Sequence, residues 1–207
     1  MAMQYTKNGD GESSPELGEG VVKVVVFGEP RVGKTSFIRA FYDHHEPGDI
    51  NSRNGVRWYP CEFTAKGEYW RAAIFEIPGG PEFLLEQLEP HFKDANVAVL
   101  MYAVDDPSSL EILKSKWLPE TIQRINWGEI DVVIVGNKND LRDDQQVIER
   151  LALADQKPVT FEEGENLLNC GEEVKDFMEI SSKNLEEVNK AFDRIFSFAT
   201  TENNSSD

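Results

Sequence analysis

The eight residues that follow a short β-branched run constrain this chain more than any other feature. Val21 to Phe27 is apolar on both faces apart from Lys23, the pattern of a buried parallel strand. It runs directly into Gly28-Glu29-Pro30-Arg31-Val32-Gly33-Lys34-Thr35, which fits G-x-x-x-x-G-K-[ST], and Thr35 to Tyr42 then reads as a helix. In a strand–loop–helix of this kind, backbone N–H groups of the loop and the helix start cradle phosphate oxygens. Lys34 reaches the terminal phosphates, and the Thr35 hydroxyl suits Mg2+. The chain as a whole is acidic, with 38 Asp and Glu against 21 Lys and Arg and a net charge of −17. That balance disfavours broad attraction to nucleic acid or to an anionic membrane face, so a phosphate ligand needs a local positive site such as this loop.

The rest of the pattern extends the same architecture. Cys61 to Thr64 and Tyr69 to Ile77, separated by Lys66, Gly67 and Glu68, predict a β-hairpin, whereas His44 to Pro60 is polar and aperiodic and reads as a long loop. Asn96 to Val104 and Asp131 to Val135 repeat the fully apolar strand type at βαβ spacing, and Phe177 to Ile180 makes a sixth, shorter strand. A helix is expected after Pro107 through Leu110, Leu113, Trp117 and Ile122, kinked at Pro119. Thr160 with Glu163 forms a capping-box pattern, and Leu185, Val188, Phe192, Ile195 and Phe196 mark a last amphipathic helix. Residues 1–20 and 200–207 are polar and acidic and read as loose tails around one domain, 21–199. The fold expected is α/β, a six-stranded, mostly parallel sheet flanked by helices, with any ligand at the carboxyl ends of the strands. Met1 to Gly20 lacks the basic flank and apolar core expected of a signal peptide, no stretch reaches about 20 apolar residues, and two cysteines make no disulfide framework. His44, His45 and His91 lack the spacing of a metal site and read as surface residues, while Cys61 and Cys170 read as structural.

A second polar motif, Asn137-Lys138-Asn139-Asp140, follows the Asp131 to Val135 strand, where a carboxylate can accept both donors of a guanine edge. With Glu179-Ile180-Ser181-Ser182-Lys183 it completes three motifs in an order that resembles the Ras-like small GTPases, whose motifs are N-K-x-D and S-A-K. The resemblance spans Val21 to Ala199 and implies a P-loop small-GTPase fold that binds GTP or GDP with Mg2+. It implies nucleotide contacts from Gly28, Pro30, Arg31, Val32, Gly33, Lys34, Thr35 and Ser36, and from Gly79. In that family Asp140 would read guanine, Asn137 would tie loops together, Lys138 would lie along the base, and the main chain of Ser181, Ser182 and Lys183 would touch the guanine oxygen. Thr35 and Glu76 would be the metal ligands. Asp140 to Asp144, Val147 to Leu153, Lys157 to Thr160 and Glu163-Gly164 are similar to the helical insert of the Rho branch, its helix expected here between Arg142 and Gln156. The implied role is a cytoplasmic signalling switch, a monomer acting through effector and regulator proteins, with actin regulation as the branch's usual output.

The departures from the family concern turnover. Glu76-Ile77-Pro78-Gly79-Gly80-Pro81 stands in place of D-T-A-G-Q-E, so Gly80 occupies the position of the water-orienting glutamine and no catalytic side chain is evident. Pro30 replaces a usual glycine. Glu46 falls where an aromatic ring would pack on guanine, and Arg53, with Ser52 beside it, where a threonine would bind Mg2+. Two readings follow, a switch with slow intrinsic hydrolysis or a pseudo-GTPase interaction module with weak or no nucleotide binding. The ending Asn203-Asn204-Ser205-Ser206-Asp207 lacks a prenylation motif, so no lipid anchor and at most indirect membrane association are expected. Trp58 and Trp70 are candidates either for a partner surface or for buried packing.

Overall fold

A computed structural model describes residues 20–45, 51–53, 55–65, 67–80, 92, 94–125 and 130–200. The strands are β1 (Val21–Gly28), β2 (Asn51–Arg53), β3 (Val56–Ala65), β4 (Glu68–Glu76), β5 (Val97–Ala103), β6 (Asp131–Asn137) and β7 (Val174–Ile180). They form one sheet in the order β2-β3-β4-β1-β5-β6-β7. β1 pairs parallel with β4 and β5, and β6 parallel with β5 and β7, while β3 runs antiparallel to β4 and β2. This is the mostly parallel α/β sheet expected, with a three-residue seventh strand added at the antiparallel edge.

That added strand corrects the expectation of an unbroken loop from His44 to Pro60. β3 starts at Val56, not Cys61, and β2 pairs with its first residues. Pro60 and Gly55 hid the strand from a pattern reading. Beyond Trp58 no further strand pairing on the outer edge of β3 occurs among the described residues, and an edge is where a strand tolerates proline.

The periodicity of β1 explains its composition. Val24 and Val26 face the layer formed by helices α1 (Lys34–His45) and α6 (Leu185–Ala199), where Phe37 and Phe41 stack on Phe192 at 4.5 and 4.2 Å. Val25 and Phe27 face the opposite layer, with Leu110, Leu113 and Trp117. A strand covered by helices on both faces must be apolar on both, and these side chains are fully buried.

The helical run after Pro107 is not a simple kinked helix. It comprises α2 (Pro107–Ile112), a π turn (Leu113–Trp117) and α3 (Leu118–Ile125). Pro119 has no N–H for the carbonyl four residues back, and the Leu118 N–H bonds to the Leu113 carbonyl, five back. The wide turn buries Trp117 and aims its indole N–H at Glu29 of the phosphate loop, 2.7 Å from Oε1.

α4 (Gln145–Ala152) lies within the stretch expected for the insert helix, capped by Asp144, whose carboxylate accepts from the N–H groups of Gln146 and Val147 at 3.0 Å each. The capping box of Thr160 and Glu163 opens α5 (Phe161–Glu165), which continues as a 3-10 turn. His44 and Cys170 are exposed and Cys61 is buried. Trp58 and Trp70 are both half-buried against the core. Residues 1–19 and 201–207 of the expected tails, Glu46, the Arg53 and His45 side chains and His91 lie outside the described residues, whereas Thr200, expected in the tail, is buried as the cap of α6, its hydroxyl donating to the Phe196 carbonyl at 3.1 Å. Among the described residues no helix is long and apolar enough to cross a membrane.

Candidate functional site

The phosphate loop joins the end of β1 to the first turn of α1. Its backbone leaves the ordinary regions twice in three residues, with Arg31 at φ 67° and Gly33 at φ 99°. Gly33 is also sterically required, because a Cβ there would lie 2.1 Å from Asn137 Nδ2. Lys34 is 7% exposed and its ammonium donates to the carbonyls of Gly28 and Glu29 at 2.7 and 2.9 Å. Burial pulls its pKa down to about 8 against the opposing charges of Glu76 and Glu29, a value that leaves it charged at pH 7. Pro30, Arg31 and Ser36 are exposed, and Val32 is buried. The segment after β4 lies directly on this loop. A side chain on Gly79 would fall 2.2 Å from the Gly28 carbonyl oxygen and 2.9 Å from the Pro30 nitrogen, and Gly80 is buried at φ 137°.

Thr35 and Glu76 come together at the foot of the loop, with a third group between them. The Thr35 hydroxyl donates to Glu76 Oε1. One guanidinium nitrogen of Arg57, Nη2, donates to Thr35 Oγ1 at 2.8 Å and to Glu76 Oε1 at 2.7 Å. The other carboxylate oxygen accepts from the Tyr59 hydroxyl at 2.8 Å. Glu76 is 4% exposed, so this neutralisation is what makes its burial tolerable. The hydrogen bond to Glu76 raises the Arg57 pKa further, and burial with the same carboxylate raises that of Tyr59. A hydroxyl and a carboxylate are the right donors for Mg2+ in kind. Arranged as they are, they do not fit it, because both oxygens already hold the chain's own cation. Among the described residues no cluster of three or more His, Cys, Asp or Glu could hold a metal.

The other end of the site is built on loops after β6 and β7. Asn137, 1% exposed, donates from Nδ2 to the Val32 carbonyl at 2.9 Å and accepts at Oδ1 from the Ser182 N–H and hydroxyl at 3.1 and 2.9 Å. One side chain thus ties the phosphate loop to the Ser181–Lys183 turn. Ser181 is buried, its N–H donating to Glu187 at 2.8 Å. Lys138 sits in the left-handed region at φ 64° and its ammonium reaches Asp105 at 2.9 Å, a residue that also receives Arg150 from α4. Asp140 pairs with Lys183 at 2.7 Å. Burial pulls its carboxyl upward, but hydrogen bonds from Lys183 and Ser181 and the lysine charge outweigh that and hold it below the usual range.

Arg57 and Tyr59 were missed by sequence reasoning, which placed both in a loop and looked to Arg53 and Ser52. The signal was in the hairpin. Counting back from Thr64 opposite Tyr69 brings Arg57 opposite Glu76, the register the strands adopt.

A buried lysine on loop carbonyls at a strand end, with an asparagine bridging that loop to a second one, is a nucleotide-binding P-loop architecture. The Ras family model matches residues 23–200. The chain belongs to the Ras family. It is similar to GTP-binding protein rho5 of Schizosaccharomyces pombe, 29% identical over 172 residues, which are 83% of this chain and 83% of that protein. This likeness supports a place in the Rho branch.

Proposed function

We propose that the chain is a Rho-type guanine-nucleotide-binding switch that acts through effector and regulator proteins and hydrolyses GTP slowly. The observation that carries this reading is Asn137, whose three hydrogen bonds join the phosphate loop to the turn beside Asp140, so that polyphosphate and base subsites form one unit. Lys34 and the loop N–H groups stabilise charge on the terminal phosphates, and Asp140 accepts the guanine edge. Hydrolysis would be attack of water on the γ-phosphate. Gly80 offers no group to orient that water, and Pro30 stands at the mouth of the loop, which is the ground for slow turnover.

Mass analysis of nucleotide released from purified protein tests this. Bound GTP in excess of GDP supports a slow switch, whereas single-turnover hydrolysis as fast as that of a glutamine-bearing relative counts against slow turnover. The pseudo-GTPase reading is favoured by one observation, the engagement of Thr35 and Glu76 by Arg57. Nucleotide-free protein whose melting temperature is unmoved by GTP would decide for it.

A further inference from the structure

The oxygens of Thr35 and Glu76 share one hydrogen-bond donor, Arg57 Nη2, and the contact is fixed by backbone rather than by a wandering side chain. Arg57 and Glu76 are directly opposite in the β3–β4 ladder, and the second Glu76 oxygen is locked by Tyr59. A divalent ion entering here would have to expel a guanidinium from a carboxylate that is 4% exposed, and would then add two charges beside Lys34. We infer that Arg57 takes the place of the divalent cation at this site, so that guanine nucleotide binds without Mg2+. The inference rests on the nucleotide-binding reading above.

The chemistry of the group suits the task. A guanidinium stays charged at every physiological pH and presents planar donors that match phosphate oxygens. Among the described residues Nη2 alone is engaged, and Nε and Nη1 remain as donors for a β- or γ-phosphate oxygen. The Arg57 side chain is 42% exposed, so that edge is reachable from solvent while the other is anchored. The longer side chain of glutamate carries its carboxylate onto the Thr35 hydroxyl itself, the gap that an ion would otherwise bridge. Arg57 thus supplies the second positive charge that, with Lys34, offsets a polyphosphate in an otherwise acidic protein.

The test is a fluorescence titration of GDP and GTP into the full chain, once with excess Mg2+ and once with EDTA. The dissociation constants are expected to agree within about threefold. Arg57→Met should weaken binding in EDTA by about tenfold or more, the equivalent of one charge-assisted hydrogen bond, and make binding Mg2+-dependent. Arg57→Lys, which keeps the charge and loses the fork, should fall between, and thermal melts report whether each variant is folded. Binding by the unmodified chain that strengthens about a hundredfold or more with Mg2+ would overturn the inference and leave the nucleotide-binding reading intact. Binding under neither condition would overturn both.

Discussion

The two ends of the site handle charge in opposite ways. At the phosphate end Lys34 and Glu76 are 7% and 4% exposed, and their partners come from a strand ladder and from loop carbonyls. At the base end the Asp140–Lys183 pair is 32% and 77% exposed and sits on turns. A buried charge that loses its partner is costly, whereas an exposed ion pair contributes little because water and salt screen it. On the proposed reading the phosphate end is therefore set by the fold before a ligand arrives, and the base end is the one expected to yield. Of the departures from the family, Glu76, Pro30 and Gly80 lie at the fixed end, beside Arg57, whereas Glu46, aligned with the base side, falls outside the described residues. The N-K-x-D motif at the yielding end is intact.

Asn137 is the point at which this contrast breaks most readily. Asn137→Ala leaves the buried Val32 carbonyl and the Ser182 N–H without their partner, and the expected loss in urea unfolding is about 3 kcal/mol. Guanine nucleotide affinity should fall with it, because the two subsites lose their common tie. A loss below about 1 kcal/mol would mean that the ends fold independently.

Arg57→Met probes the fixed end alone. It leaves Glu76 with the Tyr59 and Thr35 hydroxyls but no hydrogen-bonded cation, only the charge of Lys34 acting through space. A fully buried pair broken in this way costs about 3–5 kcal/mol, and the partial exposure of Arg57 reduces the expectation to about 2 kcal/mol, read from urea midpoints of nucleotide-free protein. Replacing Glu76 by Gln in the same chain should recover part of the loss, since no charge is then left unpaired. If Arg57→Met alone is neutral, the guanidinium is a loose surface group and the contrast between the ends fails.

These two residues also mark how far the sequence could be read. The base end was legible because it is local. Asn137 to Asp140 is a contiguous motif after an apolar strand, and its placement follows from the strand. The P-loop was legible for the same reason. Arg57 was not, because its role depends on a cross-strand partner 19 residues away and on a strand whose start is disguised by Gly55 and Pro60. The π turn at Leu113–Trp117 was anticipated as a kink because Pro119 announces a missing N–H, but which backbone bond would replace it depends on packing. The link from Trp117 to Glu29 spans 88 residues and has no local signature. Short-range chemistry sets motifs and caps, and burial sets strands, but pairing between distant polar side chains becomes visible only when strand register is counted out.

A smaller effect tests the loop backbone at the fixed end. Arg31 holds φ 67°, a conformation that costs an L-residue about 1–2 kcal/mol and a glycine almost nothing. Glycine loosens the unfolded chain, which offsets part of that, so Arg31→Gly is expected to stabilise by about 0.5 kcal/mol in urea unfolding. A clear destabilisation would show that the Arg31 side chain, exposed at the loop tip, contributes contacts of its own.

The smallest expected effect belongs to the yielding end, and it carries the sharpest sign. Lys183→Ala removes an exposed partner, so the melting temperature should not move measurably and GDP affinity should change by less than about threefold. The Asp140 carboxyl itself should respond. In the native chain burial raises its pKa, and the bonds from Lys183 and Ser181 override burial to leave it depressed. A depressed carboxyl contributes stability that is present above the unfolded carboxylate pKa and is lost as pH falls through the folded value. Without Lys183 the burial is opposed chiefly by Ser181, so an NMR titration should show the Asp140 pKa moving upward while the unfolding curves at pH 7 superimpose. An unchanged carboxyl pKa together with a large fall in stability would invert the comparison, making this turn the rigid end of the site.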